Sequence, residues 1–189
     1  GCSGDVVAAK YNDGTPAGRA ALAQQLKLGM DAAWKSLKRV PLTTIKFSNV
    51  QMELPPPTDG KLDPKKLADV VADPKQSNAV RIDAAMGLSY YNRCQRGEKI
   101  DTPFIDFGSA AYLVLPAEMF VGYSLQAQEI LRAKQPVKLL LVAGFGECAP
   151  GYIPTQQARA EGFAQEHGYC WVKEDAPAEI ERVLVKLLQ

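Results

Sequence analysis

The chain has 189 residues, of which 47% are hydrophobic and 23% charged, and its formal net charge is +1 at pH 7. This composition is typical of a globular chain that buries a sizeable core. It gives no general attraction to nucleic acid or anionic membranes, and no apolar run is long enough to predict a transmembrane segment.

The first elements in chain order are a helix and a strand. Thr15 and Pro16 are typical of an N-cap and a first helical position, and an apolar stripe follows them (Leu22, Leu26, Met30, Trp34, Leu37). Apolar residues then alternate over 45–54, which predicts a strand. Their phase slips at Ser48-Asn49, which predicts a bulge in that strand.

The rest of the chain alternates helices and strands. A hairpin is predicted for 103–107 and 111–115, and the continuous apolar run 139–143 is typical of a strand buried on both faces. A short strand is predicted over 169–172, and further helices over 63–71, 73–95, 118–133, 155–167 and 177–188. This order predicts the α/β class, with a layered mixed sheet and flanking helices.

Strands 111–115 and 139–143, with the helix between them, form a predicted βαβ unit. Such strands run parallel with a right-handed crossover, so their carboxyl ends lie at one edge of the sheet. Ligands bind at that edge in open α/β sheets. We therefore expect Glu118 to lie near the glycine-rich loop 144–152, although the two are far apart in the chain.

Several side chains near this edge have both an ordinary and a functional interpretation. Glu118 is either a first-turn acid stabilised by the helix dipole or a carboxylate that binds a metal or acts as a base. Tyr152 either packs under its loop or takes part in the chemistry. Glu147 and Cys148 are most simply solvated or packed, although a thiol enzyme using Cys148 is a separate hypothesis. His167, the only histidine, is typical of a C-terminal helix cap.

The four cysteines have no CxxC spacing, which excludes a zinc knuckle of that type. Their number permits up to two disulfides in a secreted protein, and free buried thiols are the other interpretation. Gly4-Asp5 is either an acidic turn or a weak candidate for a phosphate nest, because its glycine spacing matches neither GxGxxG nor the P-loop.

Three sequence elements resemble those of the neutral/alkaline, non-lysosomal ceramidases, and most closely those of short bacterial members. Gly4-Asp5-Val6 resembles the family's GDVSPN element, and Leu115-Pro116-Ala117-Glu118-Met119-Phe120 resembles its PGE-F element. Residues 143–155, AGFGECAPGYIPT, resemble its AG…GYITT element. The order and spacing match the second half of that family's catalytic domain.

The resemblance implies a metal site shared with another polypeptide. In the family, two histidines, a glutamate and a tyrosine hold a zinc ion that activates water to hydrolyse the N-acyl bond of ceramide. The glutamate and the tyrosine match Glu118 and Tyr152, and Asp5 is the candidate catalytic residue. Both histidines belong to the first half, and His167 matches neither. The N-terminal half or a companion chain would therefore supply them.

Two positions depart from the family pattern. Val7 replaces the serine of GDVSPN, and a later tyrosine falls near Phe163-Ala164, so both hydroxyls are absent. These positions help bind and polarise the scissile amide in the ceramidases. The alternative hypothesis is therefore a degenerate, non-catalytic binding or structural module of the same fold.

The sequence thus predicts one unit over 1–189 that forms the C-terminal part of a larger catalytic domain. It opens at Gly1 without a methionine, as expected of a processed or excised piece. The resemblance implies a lipid-like or other acyl substrate and a secreted or periplasmic location. The composition predicts no nucleic-acid partner.

Overall fold

The computed structural model describes residues 1–7, 12–163 and 169–189. Their contacts divide the chain into two compact units, Val6–Thr43 and a larger unit made of Gly1–Asp5 and Thr44–Gln189. His167 and Ala164 lie outside the described residues, so the predicted roles at those positions stay predictions. No helix within the described ranges is long and apolar enough to cross a membrane.

The smaller unit contains helix α1, Pro16–Ser36. Its start confirms the predicted cap, because the Thr15 side chain accepts a hydrogen bond from the Gly18 amide at 3.0 Å. The helix buries none of its side chains, and its apolar stripe is largely exposed, with Trp34 at 76%.

The larger unit is built on a four-stranded mixed sheet in the order β1-β2-β3-β5. The first two pairings are antiparallel and β3 pairs with β5 in parallel, as the predicted hairpin and βαβ unit require. A second, two-stranded sheet joins β4 to β6. The strand bounds are β1 Lys46–Met52, β2 Ile100–Asp106, β3 Ala110–Val114, β4 Glu118–Met119, β5 Leu139–Ala143 and β6 Tyr152–Ile153.

In the described part of this unit the helices are α2 Pro64–Ala72, α3 Asn78–Gln95, α4 Val121–Lys134, α5 Gln156–Ala160 and α6 Ala176–Leu188. Helix α3 begins at Asn78, later than its predicted start at 73. The Ser77 hydroxyl caps the Val80 amide at 3.3 Å, whereas the Asp73 carboxylate closes a separate turn on Lys75.

Two sequence expectations about the strands are wrong. Strands β1 and β2 pair without a bulge, in unbroken register from Lys46 opposite Asp106 to Met52 opposite Ile100. The phase slip arises because Phe47 projects from the opposite face to Val50 and stays exposed. Strand β5 is buried on one face only, since its burial alternates along the strand.

The hydrophobic core lies on one face of the four-stranded sheet. Helix α4 packs against β5, and α6 packs against both β1 and α4. The side chains that fill this layer alternate along the strands (Val50, Met52, Ile100, Phe104, Ala111, Leu113, Leu140, Val142). Helices α4 and α6 therefore lie over this face of the sheet.

The predicted short strand over 169–172 is reduced to an isolated antiparallel bridge between Gly151 and Cys170. All four cysteines are free thiols.

Candidate functional site

Glu118 and Tyr152 are direct partners in the parallel pairing of β4 with β6. The pairing is held by backbone bonds from the Glu118 amide to the Gly151 carbonyl and from the Phe120 amide to the Ile153 carbonyl, each 3.2 Å. Partners in register project from the same face of strands that lie about 4.8 Å apart. Both side chains are half-buried. The predicted juxtaposition is therefore present in the fold.

Glu118 is not a first-turn helix acid, which corrects one of its two sequence interpretations. Helix α4 begins at Val121, and Glu118 lies in the strand before it. The cause is Ala117, whose φ of 57° turns the chain so that Glu118 meets β6 instead of entering the helix.

Both side chains line a cavity of about 420 Å³ at this edge of the fold. Its walls are mostly apolar or small, with Met86, Phe145 and Trp171 as the large apolar contributors. Sites of this kind, apolar with a few polar groups, are typical of small-molecule binding. A ligand seated there would be presented with the Glu118 and Tyr152 oxygens.

Backbone strain is concentrated around the same cavity. Within the described ranges, the non-glycine residues with a left-handed φ are Ala117, Phe145 and Cys148, at 57°, 59° and 66°. All three line the cavity. Such conformations cost about 1–3 kcal/mol each and cluster at functional sites, where the surroundings hold them in place.

Gly151 allows the segment before β6 to approach the backbone of Tyr169 closely. Its φ is 77°, and a Cβ at this position would lie 1.7 Å from the Tyr169 carbonyl oxygen. The close approach is what allows the Tyr152 amide to donate to the Tyr169 carbonyl at 2.8 Å. A side chain at Gly151 would therefore displace β6 and, with it, Tyr152.

The contacts of Glu147 and Cys148, in the loop after β5, are typical of structural residues. Glu147 forms an ion pair with Arg93 of α3 and accepts a hydrogen bond from the Asp101 amide at 2.9 Å, so it fixes the loop to β2. Burial raises the pKa of the Cys148 thiol, although the nearby Arg93 charge acts in the opposite sense. A raised pKa disfavours the thiolate, so this environment opposes the thiol-enzyme hypothesis.

Asp5 lies next to the candidate site and serves as a helix cap. Its carboxylate accepts a hydrogen bond from the Val121 amide at 2.7 Å, at the first residue of α4. The Gly4 amide beside it donates to the Met119 carbonyl at 2.9 Å. Asp5 is therefore brought close to Glu118 in the fold, and its catalytic role stays a prediction.

Tyr169 and Trp171 line the cavity, although the sequence patterns did not indicate them. The Tyr169 hydroxyl donates to the Asp83 carboxylate at 2.9 Å, and this bond raises the pKa of the tyrosine. Their only sequence signal was aromatic residues in a predicted short strand. The bridge from Gly151 to Cys170 brings them to the site.

The ring of Tyr152 is supported by Phe163, which meets it edge-on at a centroid distance of 6.3 Å. Phe163 also packs edge-on against Phe120, at 4.5 Å. Phe163 therefore links the ring of Tyr152 to Phe120, the residue before α4.

The donors present fit part of a metal site. Glu118 and Tyr152 carry two oxygen donors of the kind that bind metal ions, whereas stable zinc sites use four ligands rich in nitrogen or sulfur. Across 1–7, 12–163 and 169–189, no group of three or more histidine, cysteine, aspartate or glutamate side chains is arranged to hold a metal ion. The pair is compatible with a metal whose other ligands come from elsewhere.

Comparison with known proteins gives partial structural likenesses. No family model matches the chain, and no curated protein sequence matches it. One similar solved structure is a ceramidase complexed with C2, at 18% identity and a TM-score of 0.39, covering 46% of this chain and 14% of that one. Another is a neutral ceramidase from Pseudomonas aeruginosa, at 12% identity and a TM-score of 0.46, covering 76% of this chain and 28% of that one. The chain thus spans less than a third of the length of either protein.

Proposed function

We propose that this chain forms part of a zinc-dependent hydrolase of N-acyl amides or related acyl substrates, with Glu118 and Tyr152 as two of the metal ligands. The observation that carries the proposal is their direct pairing in register in the wall of a largely apolar cavity. The sequence elements around both residues resemble those of the ceramidases, which supports the same assignment.

The remaining ligands come from another polypeptide in this proposal. The chain has a single histidine, so it lacks the two imidazoles that would complete such a site. Either the preceding half of the same protein or a companion chain would supply them. Two oxygen ligands alone should hold zinc weakly, so the isolated chain is expected to bind the metal poorly.

A bound zinc would supply Lewis-acid activation of water near the scissile carbonyl. The residues of this chain would hold the metal and surround the substrate. Glu118 and Tyr152 are oriented by the strand pairing, while Phe145 and Trp171 give the acyl portion an apolar wall that excludes water. Asp5 fixes the start of α4, and we keep it as the candidate acid or base. A secreted or periplasmic location belongs to this proposal.

One observation favours a second candidate, a non-catalytic module of the same fold. Val7 stands where the resembling element has a serine, so the hydroxyl expected beside the metal is absent. A module of this kind would keep the cavity and bind acyl ligands without turning them over.

Hydrolysis of a panel of fluorogenic N-acyl amides and acyl esters by the complete, zinc-loaded assembly separates the two candidates. The enzyme proposal predicts metal-dependent turnover that falls at least about 100-fold in Glu118→Gln, because the substituted amide is a poor zinc ligand. Tyr169→Phe is the matched control, since it removes a hydroxyl from the same cavity and keeps the backbone carbonyl that binds the Tyr152 amide. The absence of turnover on every substrate, with zinc bound, would favour the module.

A further inference from the structure

A second cavity, of about 240 Å³, shares a wall with the candidate site. Tyr169 and Trp171 line the cavity that contains Glu118, whereas Cys170 and Val172 line the second one. Successive side chains of an extended segment point to opposite sides, and this alternation follows that rule. The short segment 169–172 therefore separates the two cavities.

Cationic side chains outnumber carboxylates in the lining of the second cavity. Three positive charges come from Lys61, Arg159 and Lys173. Two negative charges come from Asp59 and Glu174, and both of these side chains are exposed. Water therefore screens their repulsion toward an anion held by the more deeply placed Arg159.

Arg159 is the cation of this cavity whose hydrogen bonds satisfy it least. Its Nη2 donates to the Cys170 sulfur, a weak acceptor, at 3.6 Å and to the Val172 carbonyl at 3.5 Å, which is long for such a bond. Its Nε is buried without an acceptor.

Arg159 also differs from its cationic neighbours in its ion pairs. Lys61 pairs with Asp59 at 3.4 Å and Lys173 pairs with Asp175 at 3.1 Å. No carboxylate in the part of the chain that the structure describes forms an ion pair with Arg159. A half-buried guanidinium with this set of partners is stabilised by an anion from outside the chain.

The chemistry of the cavity selects the kind of anion. A guanidinium presents its donors in a planar fork that fits the oxygens of a carboxylate or a phosphate. The volume of about 240 Å³ is below the range of about 300–1,000 Å³ that is usual for drug-sized ligands. A compact oxyanion group therefore fits the cavity better than a large ligand does.

We propose that the second cavity binds a compact oxyanion, a phosphate or carboxylate group, through Arg159 with Lys61 and Lys173 as supporting cations. The proposal stands apart from the proposed metal site, because neither Glu118 nor Tyr152 takes part in it. An anion bound there would contact the segment that also forms a wall of the candidate site.

Binding is tested by nuclear magnetic resonance on the ¹⁵N-labelled chain, titrated with sodium phosphate and, separately, with sodium acetate. Sodium chloride at equal ionic strength is the reference. The Arg159 Nε–H signal and the backbone amides of Cys170 and Val172 should shift saturably with at least one oxyanion and stay in place with chloride. Saturation by phosphate alone identifies a phosphate site, and saturation by acetate alone identifies a carboxylate site.

Substitutions then assign the binding to these cations. Arg159→Met should weaken the affinity at least about tenfold, because it removes a charge-assisted hydrogen-bonding fork. Lys173→Met should weaken it about threefold, as expected of a more exposed charge. Arg132→Met is the matched control, since Arg132 is exposed on α4 and does not line the cavity, so it should keep the parent affinity. Amide spectra of each variant confirm its fold.

Three results would overturn the oxyanion site. The first is that neither phosphate nor acetate gives a saturable shift. The second is that chloride at equal ionic strength reproduces the shifts. The third is an affinity that no folded variant of Arg159 or Lys173 lowers relative to Arg132→Met.

Discussion

The Glu118 amide donates to the Gly151 carbonyl, and this bond places Glu118 beside Tyr152 at one edge of the fold. Helix α4 and strand β5 separate the two residues in the chain. The pairing is therefore a tertiary feature, and it exists because the left-handed Ala117 and Gly151 turn both segments toward each other.

Removal of one oxygen at this pair should weaken metal binding without altering the fold. In the complete assembly, Tyr152→Phe is expected to lower zinc affinity at least about tenfold, since even partners outside the ligand sphere have effects of that size. The ring contact with Phe163 is kept, so the variant should still fold. Competition with a chelator measures the affinity. Equal affinity in the variant and the parent would exclude Tyr152 as a ligand.

Gly151 is expected to be intolerant of any side chain. Gly151→Ala combines a left-handed φ with a Cβ 1.7 Å from the Tyr169 carbonyl oxygen, so a loss of about 3 kcal/mol in the free energy of unfolding is expected. Gly108→Ala has a similar φ of 85° with open space around it, and should cost about 1 kcal/mol. Urea denaturation of both variants measures the difference, and equal losses would contradict the steric argument.

Two substitutions of Asp5 distinguish a capping role of this residue from a catalytic one. Asp5→Ala removes the acceptor of the Val121 amide and should cost about 1 kcal/mol of stability. Asp5→Asn keeps an oxygen acceptor, so it should be nearly as stable as the parent. If Asp5 is the catalytic acid or base, Asp5→Asn lowers turnover of the assembly at least about 100-fold. Full turnover in that variant would leave Asp5 as a cap alone.

The ion pair between Lys138 and Asp106 should make stability depend on pH in acid. The hydrogen bond from Lys138 at 2.8 Å lowers the pKa of Asp106, and partial burial opposes that shift. A carboxyl group with a pKa below its unfolded value of about 3.9 adds stability above that value, and loses it as pH falls through the folded pKa. Asp106→Asn should therefore be less stable at neutral pH and show a weaker acid dependence. Unfolding curves from about pH 6 to pH 2 test this, and an unchanged acid slope would contradict it.

The sequence predicted the parts of the fold that depend on local signals. The capping residue Thr15 marked the true start of α1, and the helix predicted from 63 and the hairpin predicted over 103–107 and 111–115 are both present. The βαβ rule then placed Glu118 near Tyr152 without any structural information. These predictions succeeded because each rests on contacts between neighbours in the chain or on a chirality rule of wide validity.

Other features were beyond the sequence patterns because they depend on tertiary contacts. The helix predicted from Glu118 starts at Val121, since the strand pairing with β6 captures the preceding residues. The phase slip near Ser48 indicated a bulge. It arises instead because Phe47 lies on the exposed face of a regular strand. Tyr169 and Trp171 reach the cavity only through the bridge at Cys170. None of these contacts has a local signature.

Zinc content of the complete assembly, measured by elemental analysis for the parent and Glu118→Ala, tests the central claim most directly. The account predicts about one zinc per assembly in the parent and almost none in Glu118→Ala. The reason is that a four-ligand zinc site loses most of its affinity when one ligand is removed. Tyr169→Phe should keep the metal, since its hydroxyl is bonded to Asp83. Equal zinc in the parent and Glu118→Ala would contradict the assignment of this edge as a metal site.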